Sequence, residues 1–171
     1  MPIPEDRFLK SRFYEQLTEH VFISELLQEA WFSFNAIIEI SRSEVDASGY
    51  DLILDCNGVL RHVQLKSSDI TAKSNEQDVH ISLSKKASGC IVWIVREEDQ
   101  ETKRLRLKYF FYGGKPGDPI TISENFKRAK HTRADSQGIK KERPNVRRIP
   151  KSKFQNVTDP KELLQKLFEL K

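Results

Sequence analysis

Cysteine is scarce in this chain of 171 residues: Cys56 and Cys90 are the two present, and no CxxC pair exists. That argues against a disulfide framework or a zinc knuckle and makes a reducing cytoplasm the simplest setting. No run of apolar residues approaches the roughly 20 needed to cross a bilayer, so no membrane role is expected. The opening stretch, MPIPEDRFLK, lacks the apolar centre of a signal peptide. Internal repeats and low-complexity tracts are absent too, and nothing calls for a small-molecule cofactor.

What is there suits one domain with a real core. Apolar residues make up 37% and charged residues 32%. The net charge of +4 is unevenly spread. Between Phe126 and Lys153 stand eleven basic residues against Asp135 and Glu142, giving +9 there and −5 elsewhere. Such a stripe on a mildly acidic body is the footprint of a polyanion binder, or else a solvated flexible tail.

Periodicity supplies the elements. Phe13, Leu17, Val21, Leu26, Leu27, Ala30 and Trp31 recur at helical steps, as one helix or as two broken near Ile23-Ser24, with Asn35 as the stop. AIIEI (36–40), YDLILD and VLRHVQLK read as strands, as do CIVWIV (90–95) and LRLKYFFY. VHISLSKKAS is open between strand and helix, and a short helix is expected around Glu124 to Lys130. In TDPKELLQKLFELK, Asp159 is a natural N-cap, with Pro160 at the first helical position and Glu162 three after the cap. Leu163, Leu164, Leu167 and Phe168 form one apolar stripe that should dock on the body. The order implies an α/β fold with a mixed central sheet flanked by helices.

One hairpin carries the chemistry. Asn57-Gly58 suits a type I′ turn, which needs two residues at positive φ. A two-residue loop sets Cys56 against Val59, so Asp51 falls opposite Gln64, and Lys66 projects from the same face. Tyr50, Leu52, Leu54, Val63 and Leu65 then form the buried face, broken by Arg61. A carboxylate and an amide oxygen suit a hard divalent cation, Mg²⁺ or Mn²⁺. An amine beside them can orient water or stabilise charge on a phosphate. Taken one by one, Asp51 also reads as a turn acceptor, and Gln64 and Lys66 as the wet face of an edge hairpin.

The combination resembles the PD-(D/E)xK nuclease superfamily. Asp51 matches its first acid and Gln64-Leu65-Lys66 its second element, in the QxK form of Mrr-type restriction endonucleases. Asp46 to Asp51 is similar to the DxGxD-like approach of those families, and the helical glutamate resembles that of Holliday-junction resolvases. The resemblance covers about residues 24–95. It implies a restriction-endonuclease-like core (about 24–112) followed by a basic segment (about 124–153) and a closing helix (about 159–171). It also implies a Mg²⁺-dependent nuclease with Asp51, Gln64, Lys66 and Glu25 in catalysis, Glu29 being the alternate to Glu25. Asp51, Gln64 and Asp46 would face the metal.

Beside such a core, Lys127, Arg128, Lys130, Arg133, Lys140, Lys141, Arg143, Arg147 and Arg148 would hold the phosphates of DNA, in loops that follow a groove. Cleavage of two strands would favour a homodimer. A non-catalytic binding module on the same core is the competing expectation. His62 reads as a partly buried structural residue, and Trp31 and Trp93 as core. In Tyr109-Phe110-Phe111-Tyr112, alternation buries two aromatics and exposes two.

Overall fold

The computed structural model describes residues 10–44 and 49–171. Among the described residues a single helix, α1 (Ser11–Phe34), opens the chain with no break at Ser24. Phe22, Leu26 and Ala30 recur every four residues and are fully buried, so the apolar stripe carries the helix straight through. Asn35 ends it in the left-handed conformation at φ 49°, its N–H on the Trp31 carbonyl at 3.1 Å. Trp31 itself is half exposed rather than core.

Six strands form the main sheet: β1 (Ile38–Arg42), β2 (Leu52–Cys56), β3 (Val59–Asp69), β5 (Gly89–Asp99), β6 (Arg104–Gly113) and β9 (Gln155–Val157), in that spatial order. Only β3 and β5 run parallel. The turn between β2 and β3 has Asn57 at φ 54° and Gly58 at φ 79°. Cys56 faces Val59 and Leu52 faces Val63. Asp55 closes the turn by accepting from Gly58 N–H at 3.1 Å.

The parallel step from β3 to β5 is made without a helix. The crossover holds β4 (Glu76–His80) and a 3₁₀ turn at Ile81–Lys85, which resolves the strand-or-helix ambiguity there. β4 joins β8 (Glu142–Pro150) and β7 (Arg128–Lys130) in a second, antiparallel sheet of three strands. The basic segment is therefore anchored in a sheet by β7 and β8, with residues 131–141 looping between them. The helix expected around Glu124 to Lys130 gives way to β7. Its burial alternates, with Arg128 and Lys130 exposed around the fully buried Ala129, which is a strand's period.

Two cores result. On one face of the main sheet, Leu52, Leu54, Val63, Val92 and Ile94 pack against α1 and against α2 (Pro160–Phe168). The Asp159 carboxylate caps α2 by accepting from Glu162 N–H at 2.8 Å, and Leu163, Leu164 and Leu167 are fully buried. On the other face, Ile91, Trp93 and Val95 pack against Val79, Ile149 and Phe154. Tyr50 belongs to this second core rather than the Leu52 face, its ring 4.9 Å from His62. In the aromatic run neither pair is left open: Tyr109 and Phe111 are buried in the first core, and Phe110 and Tyr112 pack against the second. No helix among the described residues is long and apolar enough to cross a membrane.

Candidate functional site

Asp51 lies one step beyond the last β2–β3 pair. Its backbone N–H still reaches the Val63 carbonyl at 2.9 Å. Its side chain then takes over from the backbone, with Oδ2 accepting from Leu65 N–H at 2.7 Å. This is the turn-acceptor chemistry of a strand-end aspartate, but its consequence is positional. The carboxylate is pinned at the residue between Gln64 and Lys66.

Asp51 and Lys66 line one cavity of about 420 Å³ at the end of β3. The opposite wall comes from the first turns of α1, with Arg12, Glu15 and Glu19. Ser67 and, from β4, Gln77 complete its polar lining. Glu19 also pairs with Arg42 of β1 at 2.8 Å. An adjoining cavity of about 380 Å³ shares Lys66 and Gln77 and holds Glu76, Asp78 and Arg148.

Gln64 is placed differently. It is 6% exposed and does not line the cavity, and its Oε1 is buried without a hydrogen-bond partner. An orphaned amide oxygen is costly to bury. Here it directly precedes Leu65, which binds Asp51, and pairs across the sheet with Ile91 of β5.

Glu25 is not brought to this cavity. It accepts from the Tyr109 hydroxyl of β6 and lines a separate cleft of about 760 Å³ between α1 and the β5–β6 hairpin. Burial raises its carboxyl above the ordinary value, partly offset by that hydrogen bond, and burial pushes the Tyr109 hydroxyl up strongly. The reason is helical phase. Six residues separate Glu19 from Glu25, which turns them roughly 120° apart on one continuous helix. Glu29, the alternate, accepts from Ser33 on the exposed surface. Asp46 lies outside the described residues.

Glu15 and Glu19 are thus the helical carboxylates that the sequence reading missed. Their i, i+4 spacing on one face was the available signal. It pointed nowhere until the helix was known to begin at Ser11 and run unbroken.

The donors gathered here are oxygens, the kind that suit Mg²⁺ or Mn²⁺. Among the described residues no three His, Cys, Asp or Glu side chains stand close enough to share a metal ion. The set therefore fits an ion held by one or two protein ligands and completed by water and substrate phosphate, a habit of Mg²⁺.

The expected phosphate contacts divide. Lys127, Arg128, Lys130, Arg133, Lys140 and Lys141 are exposed, and Arg143 is half-buried. Arg128 stands 3.5 Å from Glu142. Arg147 is buried, its Nη1 donating to the Pro144 carbonyl at 2.6 Å. Arg148 is half-buried and tied to Glu76 at 2.9 Å and Asp78 at 3.2 Å on β4. Pairing of β8 with β4 draws these two arginines into the body. No protein-family model, curated protein or solved structure matches the chain.

Proposed function

We propose that the cavity between α1 and the end of β3 is a phosphodiester-hydrolysing centre acting on DNA, on a restriction-endonuclease-like core. The observation that carries this reading is the placement of Asp51, held by Leu65 N–H, in one cavity with Lys66. Asp51 would hold a Mg²⁺ or Mn²⁺ ion whose remaining positions water and substrate phosphate would fill. Such an ion supplies Lewis-acid charge at the phosphate and lowers the pKa of bound water. Lys66 orients the attacking water and balances charge that develops on the phosphate oxygens. Glu15 and Glu19 face the same space and are placed to take up a proton. Cutting both strands needs two such centres, which a homodimer would supply.

Plasmid and short duplexes incubated with Mg²⁺ or Mn²⁺ test this. The wild type should cleave, while Lys66→Ala and Asp51→Asn each lose about 100-fold or more. Cleavage that survives both substitutions rejects the site.

A second reading is a non-catalytic nucleic-acid-binding module on the same core. The burial of Gln64 favours it. It predicts salt-sensitive binding with no cleavage by any of the three proteins.

A further inference from the structure

β7 and β8 are the base of a longer ribbon. Beyond their last ladder pair, Lys130 with Glu142, the His131 N–H still bonds the Lys141 carbonyl at 2.9 Å. At the far end Asp135 N–H bonds the Ile139 carbonyl at 2.9 Å, and Gly138 N–H bonds the Asp135 carbonyl at 3.0 Å, with Gly138 at φ 78°. The Asp135 carboxylate accepts from Gln137 N–H at 3.0 Å and Ile139 N–H at 2.9 Å. Every residue from Lys130 to Glu142 is exposed. Residues 131–141 add no further ladder, so the strand rise sets roughly 20 Å as the upper limit of the arm's reach.

Its charge is nearly all of one sign. Lys130, Arg133, Lys140 and Lys141 lie along it, with Lys127 and Arg143 at its root. Of the two acids, Asp135 is spent on its own turn and Glu142 stands by Arg128. At the tip, where solvent would favour a polar residue, Ile139 is 58% exposed.

The geometry points to a duplex-gripping arm: the ribbon enters a groove of double-stranded nucleic acid, its lysines and arginines on the flanking phosphates and Ile139 against the bases. Three physical points favour this occupant. A two-stranded ribbon is narrow enough for a groove. Cations along both its strands meet two phosphate backbones. An apolar residue at the end of a basic arm is the device by which groove-binding proteins wedge base steps apart. The arm also lies away from the cavity. Gln77 on the cavity wall pairs with Ile149, two residues from Arg147 on β8, and a bulge sets Arg147 and Arg143 against the consecutive β7 residues Arg128 and Ala129, so the ribbon root lies three ladder steps away, about 10 Å. It therefore grips duplex flanking the point of cleavage.

This inference rests on duplex DNA being the partner, as proposed above, but not on cleavage. The test uses the Lys66→Ala protein, so that binding is read without hydrolysis. Its affinity for a fluorescent duplex carrying 2-aminopurine is measured over a range of salt, beside a single strand of equal length, an RNA duplex and an acidic polypeptide. Added Lys140→Ala/Lys141→Ala should reduce the slope of log affinity against log salt by about 1.8. Added Ile139→Ser should weaken binding about tenfold with the slope unchanged, and should remove the rise in 2-aminopurine fluorescence. Because the tip is exposed, both variants should keep the parent melting temperature. Equal binding to single strand, preference for the RNA duplex or the polypeptide, or variants that bind the DNA duplex like the parent would each overturn the arm. A protein that binds in this way yet never cleaves overturns only the catalytic reading.

Discussion

The Asp51 carboxylate accepts a hydrogen bond from the Leu65 backbone N–H at 2.7 Å, one residue before Lys66. That bond does two jobs, ending the β2–β3 ladder and fixing an acid beside an amine. The two are separable. Asp51→Ala leaves the Leu65 N–H unpaired and should cost about 1–3 kcal/mol. Asp51→Asn keeps an acceptor oxygen and should unfold within about 1 kcal/mol of the wild type, yet it removes the negative charge at the cavity. Urea unfolding and a cleavage assay on the same samples check both. An Asn variant as unstable as the Ala variant would mean that the carboxylate charge, not the acceptor geometry, holds the strand end.

Glu25 and Tyr109 predict a pH dependence of stability. Burial holds the Glu25 carboxyl above its ordinary 4.5, with the tyrosine hydrogen bond pulling the other way. The folded chain thus keeps this proton to higher pH than the unfolded chain does. The contribution of Glu25 to stability is fully present below 4.5 and is lost as pH rises through the folded value. Glu25→Gln keeps an oxygen for the hydroxyl and has no charge to bury. Melting curves should show the wild type losing ground to Glu25→Gln between pH 4.5 and neutrality, and parallel curves would contradict this.

Arg61 is fully buried without a paired carboxylate among the described residues. Both Nη atoms donate to the Gly114 carbonyl, at 3.2 and 3.1 Å, and the guanidinium carbon lies 5.8 Å from the Phe111 ring centroid. Arg61→Ala removes volume and donors together and should cost about 3 kcal/mol. Arg61→Met keeps the volume and removes the buried charge, so its cost in urea unfolding should be clearly smaller. Equal costs would show that the hydrogen bonds to Gly114 dominate.

Arg148 and the lysine pair along the ribbon should behave in opposite ways. Arg148→Ala breaks the ties to Glu76 and Asp78, costing about 1 kcal/mol for half-exposed ion pairs, with duplex affinity little changed. Lys140→Ala/Lys141→Ala should leave the melting temperature alone and weaken duplex binding. The reverse pattern would restore Arg148 as a phosphate contact.

The parts legible in the sequence are those whose determinants are local. Asn57-Gly58 sets a register that carries through to Leu52 and Val63, and Asp159-Pro160 caps a helix whose stripe is complete in nine residues. Long-range pairing was not legible. β8 meets β4 across some seventy residues, as between Asp78 and Arg148, and this turns two apparent phosphate contacts inward. The helical carboxylates were missed for a related reason. Glu25 has the right residue type, but helix phase and the place where α1 crosses the sheet decide which glutamate meets Asp51.

The most direct test of the catalytic account is anomalous scattering from crystals soaked in Mn²⁺. The account predicts a peak bonded to the Asp51 carboxylate, and no peak in Asp51→Asn crystals. Soaks at a Mn²⁺ concentration that supports cleavage, yet with no density beside Asp51, would contradict it.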